Sequence, residues 1–336
     1  NYRLSENDAM ALGYPGLSHY SSAPYPLVTR MADRLGLYHS YLRVIYGAGT
    51  TPVLESLLGV KYILYRTGAS LESLPPEYVP LWTEGDVTAY QNPYALPLAM
   101  LVPAAGAVNL DTGNPFAAQN TVLSDLAGEP VQAFTPLDVP VTSDQEGFLY
   151  ATVPVDAGQQ VYMLSSGSYY YFNDMPGQDS TLFQGCVRLP AAAADTAYTL
   201  KMWSSTGAKP QFAAFNMDAL RRAYALLKTR AYEVQSDTAS HLRVRVTADA
   251  QHPQLVLSIP YDKGWSAWVD GERQAVTSRF DAFLAVAVTP GPHEVELRYL
   301  PTGILAGAAI SAGSALLLGL WMLLRLGPVR RRREGR

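Results

Sequence analysis

Apolar and polar positions alternate most clearly toward the C-terminal end of the chain. "HLRVRVT" puts Leu242, Val244 and Val246 on one face, and "HEVELRY" puts Val295, Leu297 and Tyr299 opposite Glu294, Glu296 and Arg298. Period two with a polar outer side predicts antiparallel strands with one wet face. Between them, Asp270-Gly271 predicts a type I′ hairpin turn, whose two central residues both need positive φ. "WSAWV" and "ERQAV" are its arms. Trp265 and Trp268 are three apart, so on a regular strand they point to opposite faces. They cannot form one flat platform for a sugar. Packing against the core or a neighbour is the structural reading, and a single stacked ring at Trp265 or Trp268 is the binding one.

Other stretches follow different periods. "PLVTRMADRLGL" (26–37) repeats Leu27, Met31 and Leu35 at helical spacing. "TPVLESLLG" (51–59) predicts a helix with Thr51 as N-cap, Pro52 at its first position and Gly59 as its stop. "VKYILYR", "DVTAYQN" and "LPLAMLV" read as strands. "NPFAAQNTVLSDLAG" reads as a short helix. From about 139 to 213, short apolar runs separated by turn signals predict a β-sandwich. A helix follows, capped by Asn216, with Leu220, Ala223, Tyr224 and Leu227 on one stripe.

The expected organisation is α+β: a small α/β domain over 1–110, a linker with a short helix over 111–138, a β-sandwich-like domain ending in a helix over 139–231, and an antiparallel β domain over 232–300. A transmembrane helix (301–325) and a basic tail (326–336) close the chain. Residues 304–324 carry no charge. At about 1.5 Å per residue they span roughly 30 Å, the thickness of the hydrocarbon core. Gly307, Ala308, Ser311, Gly313 and Ser314 suit close packing on other membrane helices, the alternative being a lone anchor.

Charge adds orientation. Arg325, Arg330, Arg331, Arg332, Arg333 and Arg336 predict a cytoplasmic tail by the positive-inside bias, leaving residues 1–300 outside the cell. Such a run beside a membrane helix fits lipid headgroups better than nucleic acid. The chain carries −4; residues 325–336 hold six Arg and one Glu, or +5, so residues 1–324 carry −9. That acidic balance disfavours a polyanionic partner. The absence of a signal peptide ahead of a membrane helix leads us to expect the C-terminal piece of a longer, multi-pass protein.

Composition narrows the chemistry. With 336 residues, 48% hydrophobic, the chain is long enough for two or three domains with real cores. Its 22 Tyr and 24 Pro favour β structure and loops. Cys186 is the one cysteine, so no internal disulfide or cysteine zinc site is expected. His19, His39, His241, His252 and His293 lack the spacing of a helical metal pair, and no metal is expected. No G-x-S-x-G or P-loop occurs. Asp144 with Glu146, and Asp270 with Glu272, are nearby carboxylates of the kind a glycosidase needs across a cleft, but acids in turns are commoner. "SYYYFND" carries aromatics on both strand faces, for core filling or sugar stacking.

The candidate binding residues are Tyr20, Ser21 and Ser22 of the loop "YPGLSHYSS", Lys61 and Tyr62 of "VKYIL", and Trp265 and Trp268. Loops of this make-up often carry function. Lys61 is a cation on an apolar strand that would meet a phosphate; its plain alternative is a stem lying on the sheet with its amine in water.

The stretch "PYDKGWSAWVDG" (260–271), then "GPHEVELRY" (291–299) and "PTG" (301–303) leading into the last helix, resembles the end of the YfhO family of bacterial membrane proteins. "YPGLSHYSS" (14–22), "LLGVKYIL" (57–64), "YQNPYALPLAMLV" (90–102) and "NPFAAQN" (114–120) fall in the family's order, so the resemblance covers nearly the whole chain. The arginine tail departs from the pattern. The resemblance implies a large polytopic protein similar to GT-C glycosyltransferases. Such a protein moves a sugar from a polyprenyl-phosphate carrier, the donor substrate, to an extracytoplasmic acceptor such as lipoteichoic acid. It also implies that the catalytic acid lies in an outer loop upstream, so no catalytic residue is expected in this chain. Membrane lipids, upstream membrane helices of the same protein and a cell-envelope glycopolymer are the implied partners. A membrane-anchored carbohydrate-binding protein without catalysis is the alternative, and a structural ectodomain is a third.

Overall fold

A computed structural model describes residues 7–22, 25–37, 39, 40, 42–44, 46, 49–66, 74–106, 108–165, 169–173, 175, 176, 185–190, 192–238 and 240–325. The basic tail at 326–336 lies outside these. The fold is α+β, with antiparallel sheets and an apolar helix at the C-terminal end. The helices are α1 (Asp8–Leu12), α2 (Pro26–Leu35), α3 (Pro52–Leu57), α4 (Pro115–Ala127), α5 (Met217–Lys228) and α6 (Ile304–Arg325).

Four sheets and a helical layer stack in a fixed order. The outermost, sheet I, runs Met175–Pro176, Tyr169–Phe172, Thr196–Trp203, Phe148–Val155, Val141–Ser143. Sheet II runs Gly185–Arg188, Gln160–Ser165, Gln211–Phe215, Phe134–Leu137. Helices α2 to α5 come next. Sheet III runs Ala231–Tyr232, Ala99–Val102, Gln254–Pro260, Phe283–Ala287, Val276–Arg279. Sheet IV runs Gln235–Thr238, His241–Ala248, Gly291–Tyr299, Trp265–Val269, Glu272–Gln274.

Three cores correspond to the three gaps. Val153, Leu200 and Met202 of sheet I meet Val161, Met163 and Phe212 of sheet II. Leu255, Leu257 and Val286 of sheet III meet Val244, Ala267 and Leu297 of sheet IV. The largest core surrounds the helices, with Tyr162 and Phe215 on one side and Met100 and Val256 on the other. Successive side chains of one strand face opposite ways. So Val256 turns to the helices while Leu255 and Leu257 turn to sheet IV. Sheets II and III are therefore covered on both faces, and each helps build a β-sandwich.

Helix α4 is the pivot. Phe116, Ala118, Val122, Leu123 and Leu126 are buried around it, the pattern of a helix enclosed on most sides rather than one lying on a surface. Its polar side chains serve as ties. Gln119 Nε2 donates to the Leu35 carbonyl at 2.8 Å, and its Oε1 accepts from Thr51 Oγ1 at 2.6 Å. Asn120 bonds both the N–H and the carbonyl of Phe134, at 2.9 and 2.7 Å. Asp125 accepts from Arg279 of sheet III at 2.9 and 2.5 Å. Residues 111–138 thus hold the helix on which both sandwiches rest. Strand Ala99–Val102 pairs with Gln254–Pro260, so the first and last outer intervals of the chain share sheet III.

Local chemistry sets the helix starts. Thr51 Oγ1 accepts from Leu54 N, Asn114 Oδ1 from Ala117 N and Asn216 Oδ1 from Ala219 N, with Pro52 and Pro115 as first helical residues. A separate three-stranded sheet V, ordered Tyr62–Arg66, Val87–Gln91, Val79–Glu84, leaves Tyr62, Leu64, Val79 and Trp82 exposed. The aromatic run divides as strand alternation requires: Tyr170 and Phe172 enter the outer core and Tyr171 faces out.

Candidate functional site

The site begins where strand Gln254–Pro260 ends. Residues 261–264 turn the chain from sheet III into sheet IV. Asp262 Oδ1 accepts the Gly264 N–H at 2.7 Å, and the Asp262 carbonyl accepts the Trp265 N–H at 3.1 Å. Gly264 is dictated by space: a Cβ there would lie 2.5 Å from the Leu300 carbonyl oxygen and 2.8 Å from the Tyr299 ring. That close approach lets the Leu300 N–H donate to the Gly264 carbonyl at 3.0 Å. The membrane-type helix starts at Ile304, so this turn braces the last residues before it.

Hydroxyls close the back of the turn. Tyr25 donates to the Tyr261 carbonyl at 2.5 Å. Burial, and then the neighbouring Asp262 carboxylate, push the Tyr25 hydroxyl up to about 12. The Tyr299 hydroxyl is raised by the same two causes, burial first. The Asp262 charge is thus engaged from inside the fold.

Outside the turn is an open cleft of about 560 Å³ lined by Tyr261, Asp262, Lys263, Trp265, Arg273 and Gln274, and reaching Val276. This size falls within the range of small-ligand sites, about 300–1,000 Å³. Arg273 and Gln274 come from the edge strand of sheet IV, paired with Trp268 and Ala267. The hairpin turn beyond has φ of 51° at Asp270 and 86° at Gly271, the positive pair that its sequence predicts. Asp270 accepts from Glu294 N at 2.8 Å and lies 2.6 Å from His293 Nδ1. The Glu294 N–H first, then His293, hold the Asp270 carboxyl below its usual range.

The two tryptophans divide. Trp265 packs on the sheet III–IV core with its ring 5.1 Å from that of Tyr299, and one edge walls the cleft. Trp268 is on the opposite face under the Arg298 guanidinium, 5.0 Å away. Lys61 and Tyr62 stand exposed at the start of sheet V, with Lys61 Nζ 5.5 Å from the Tyr62 ring. Tyr20 ends the first strand of a small ribbon of His19–Tyr20, Arg43–Val44 and His39–Ser40, where Asn7 clamps its backbone at 2.7 and 3.1 Å, and Ser21 and Ser22 follow it. The candidate residues therefore sit on three separate sheets. Tyr261, Asp262, Lys263, Arg273 and Gln274 escaped the residue-by-residue reading, although the first three lie inside the "PYDKGW" motif.

Of the nearby carboxylates, Asp144, Glu146 and Asp270 lie in or beside turns and Glu272 opens the edge strand of sheet IV. Asp144 accepts from Glu146 N, Phe148 N and the Tyr150 hydroxyl. Among the described residues, no three His, Cys, Asp or Glu side chains converge as a metal ion would require. Cys186 is buried, which raises its thiol and leaves it inert.

The family model for the bacterial membrane protein YfhO matches residues 1–162 and 195–311. The chain belongs to the YfhO family. Helix α6 is the one helix among the described residues long and apolar enough to cross a membrane, with a mean hydropathy of 1.8 and no buried residue. The unmatched interval, 163–194, contributes the edge strands Met175–Pro176 and Gly185–Arg188, the inner strand Tyr169–Phe172 and the end of Gln160–Ser165. Solved structures give much weaker likenesses. A conserved protein of unknown function from Pseudomonas aeruginosa PAO1 is 12% identical, covering 50% of this chain and 84% of its own, with a TM-score of 0.15. The CUB1-EGF-CUB2 domain of human MASP-1/3 is 11% identical, covering 50% and 100%, with a TM-score of 0.16. Likenesses of this size carry no argument about the fold. No curated protein matches the chain.

Proposed function

We propose that this chain is the extracytoplasmic part and closing membrane helix of a multi-pass glycosyltransferase of the GT-C kind. It moves a sugar from a polyprenyl-phosphate carrier to a cell-envelope acceptor such as lipoteichoic acid. Membership of the YfhO family supports the membrane setting. The observation that carries the reading is the cleft at the Tyr261–Trp265 turn, braced through Gly264 against the residue that leads into α6. Transfer from a lipid-linked donor takes place at the membrane surface, and this is where the domain offers a concave polar site. The catalytic carboxylate belongs to upstream sequence, among further membrane helices. The residues of this chain orient the acceptor and exclude water, with residues 1–300 outside the cell and the arginine tail inside. Lys61 and Tyr62, Tyr20 to Ser22, and Trp265 are the acceptor-facing side chains; Trp268, beneath Arg298, supports the sheet.

The test is sugar transfer by the full-length protein in membranes, with a labelled polyprenyl-phosphate sugar as donor. Trp265→Ala combined with Lys61→Ala is expected to lower turnover at least tenfold while the protein stays folded. Unchanged turnover refutes the assignment. The half-exposed Trp265 also favours a second reading, a carbohydrate-binding domain without catalysis, because indole faces pack on sugars. Saturable binding of the glycopolymer with no donor consumed establishes that reading instead.

A further inference from the structure

Lys263 and Arg273 stand apart from the other cations of sheet IV. Arg245 pairs with Glu294 at 3.2 Å, Arg298 with Glu296 at 2.8 Å, and Arg243 reaches Glu296 at 4.0 Å. Among the described residues, Lys263 and Arg273 have no acidic partner, and both line the cleft. The third charge there, Asp262, accepts the Gly264 N–H and has the Tyr25 and Tyr299 side chains near it. Against −9 over residues 1–324, the cleft is a local cationic exception with apolar walls at Trp265, Tyr261 and Val276.

Its position selects the ligand. Trp265 is in register with Tyr299, and Ile304 opens the membrane helix. The link folds back on itself, with the Ile304 N–H bonded to the Pro301 carbonyl at 3.3 Å. It is thus shorter than the roughly 18 Å that five extended residues would span. The cleft therefore lies close to the start of α6, within reach of headgroup level if that helix spans a bilayer, where Trp and Tyr are at home. We propose that it seats the net-anionic phosphate headgroup of a lipid from the leaflet on the domain's side, with Lys263 and Arg273 as charge partners and Trp265 against its apolar shoulder. The site anchors the foot of the domain on the bilayer whether or not the protein transfers sugar.

Native mass spectrometry of the full chain in mild detergent tests this, with phosphatidylglycerol, polyprenyl phosphate and phosphatidylcholine titrated separately. Wild type is expected to retain one phosphatidylglycerol. Retention of polyprenyl phosphate alone assigns the cleft to the carrier of the proposed transfer and overturns the anchoring role. Lys263→Ala with Arg273→Ala is expected to weaken retention at least tenfold at unchanged melting temperature. Replacing Arg330, Arg331, Arg332 and Arg333 by Ala should leave it intact. If the double variant melts early, Lys263→Gln alone, at an exposed and unpaired position, is read instead. Undiminished retention by the charge-removed variant overturns the proposal. So does phosphatidylcholine binding as tightly as phosphatidylglycerol, or millimolar inorganic phosphate displacing the lipid completely.

Discussion

Replacing Arg279 with Met probes the tie between the helical layer and sheet III. The Arg279 side chain is 3% exposed and that of Asp125 12%. Its guanidinium donates to Asp125 Oδ2 at 2.9 and 2.5 Å, to Gln254 Oε1 at 2.6 Å and to the Pro103 carbonyl at 3.3 Å. Met fills much of the volume but leaves a buried carboxylate without its cation and two acceptors without donors. Breaking a buried pair from one side costs about 3–5 kcal/mol. The two orphaned acceptors, at about 1–3 kcal/mol each when isolated, overlap with that figure rather than add to it. A loss of about 3–5 kcal/mol lowers the folded-to-unfolded ratio by roughly two to three and a half powers of ten. Arg279→Met with Asp125→Leu is expected to regain most of it, because replacing both partners of a buried pair with apolar groups is often neutral. Urea unfolding followed by pulse proteolysis, on the detergent-solubilised chain, measures both variants. A single-variant loss below about 1 kcal/mol, in the range of exposed pairs, would refute the burial of this tie. So would a double variant as unstable as the single one.

Two further outcomes are expected. Gly264→Ala forces the turn away from Leu300, and overpacking of this kind costs about 1–3 kcal/mol; amide exchange at Leu300 should quicken, and an unchanged rate would mean that the close approach is not required. The hydrogen bond to Asp270 is the main cause raising His293 above its ordinary value, with burial opposing it. Native His293 therefore holds its proton more tightly than the unfolded chain does, and its contribution is complete below about pH 6.5 and fades as pH rises through the native value. Protection of the Glu294 amide, taken against its intrinsic exchange rate at each pH, should fall over that window in the wild type and stay level in His293→Gln; equal pH profiles would remove His293 as the cause.

Local rules made part of this fold readable. The long apolar helix, the Asp270-Gly271 turn and the Thr51 and Asn216 caps each depend on residues within a few positions of one another, and each is found where those residues place it. The layer order is another matter. Strand Ala99–Val102 meets Gln254–Pro260 across more than half the chain, and neither strand's own pattern names its partner. Helix α4 reads as a modest helix because its value lies in what surrounds it. The cleft was half legible: the "PYDKGW" turn drew attention through Trp265, while Arg273 and Gln274 reach it only through the fold-back of the hairpin.

The joint at Leu300 has a mechanical consequence. A strand of nine residues, Gly291–Tyr299, held on both sides in sheet IV, passes through one braced turn into a 22-residue helix. A change in the tilt of α6 would therefore reach sheet IV through Leu300, and through the shared core it would reach sheet III.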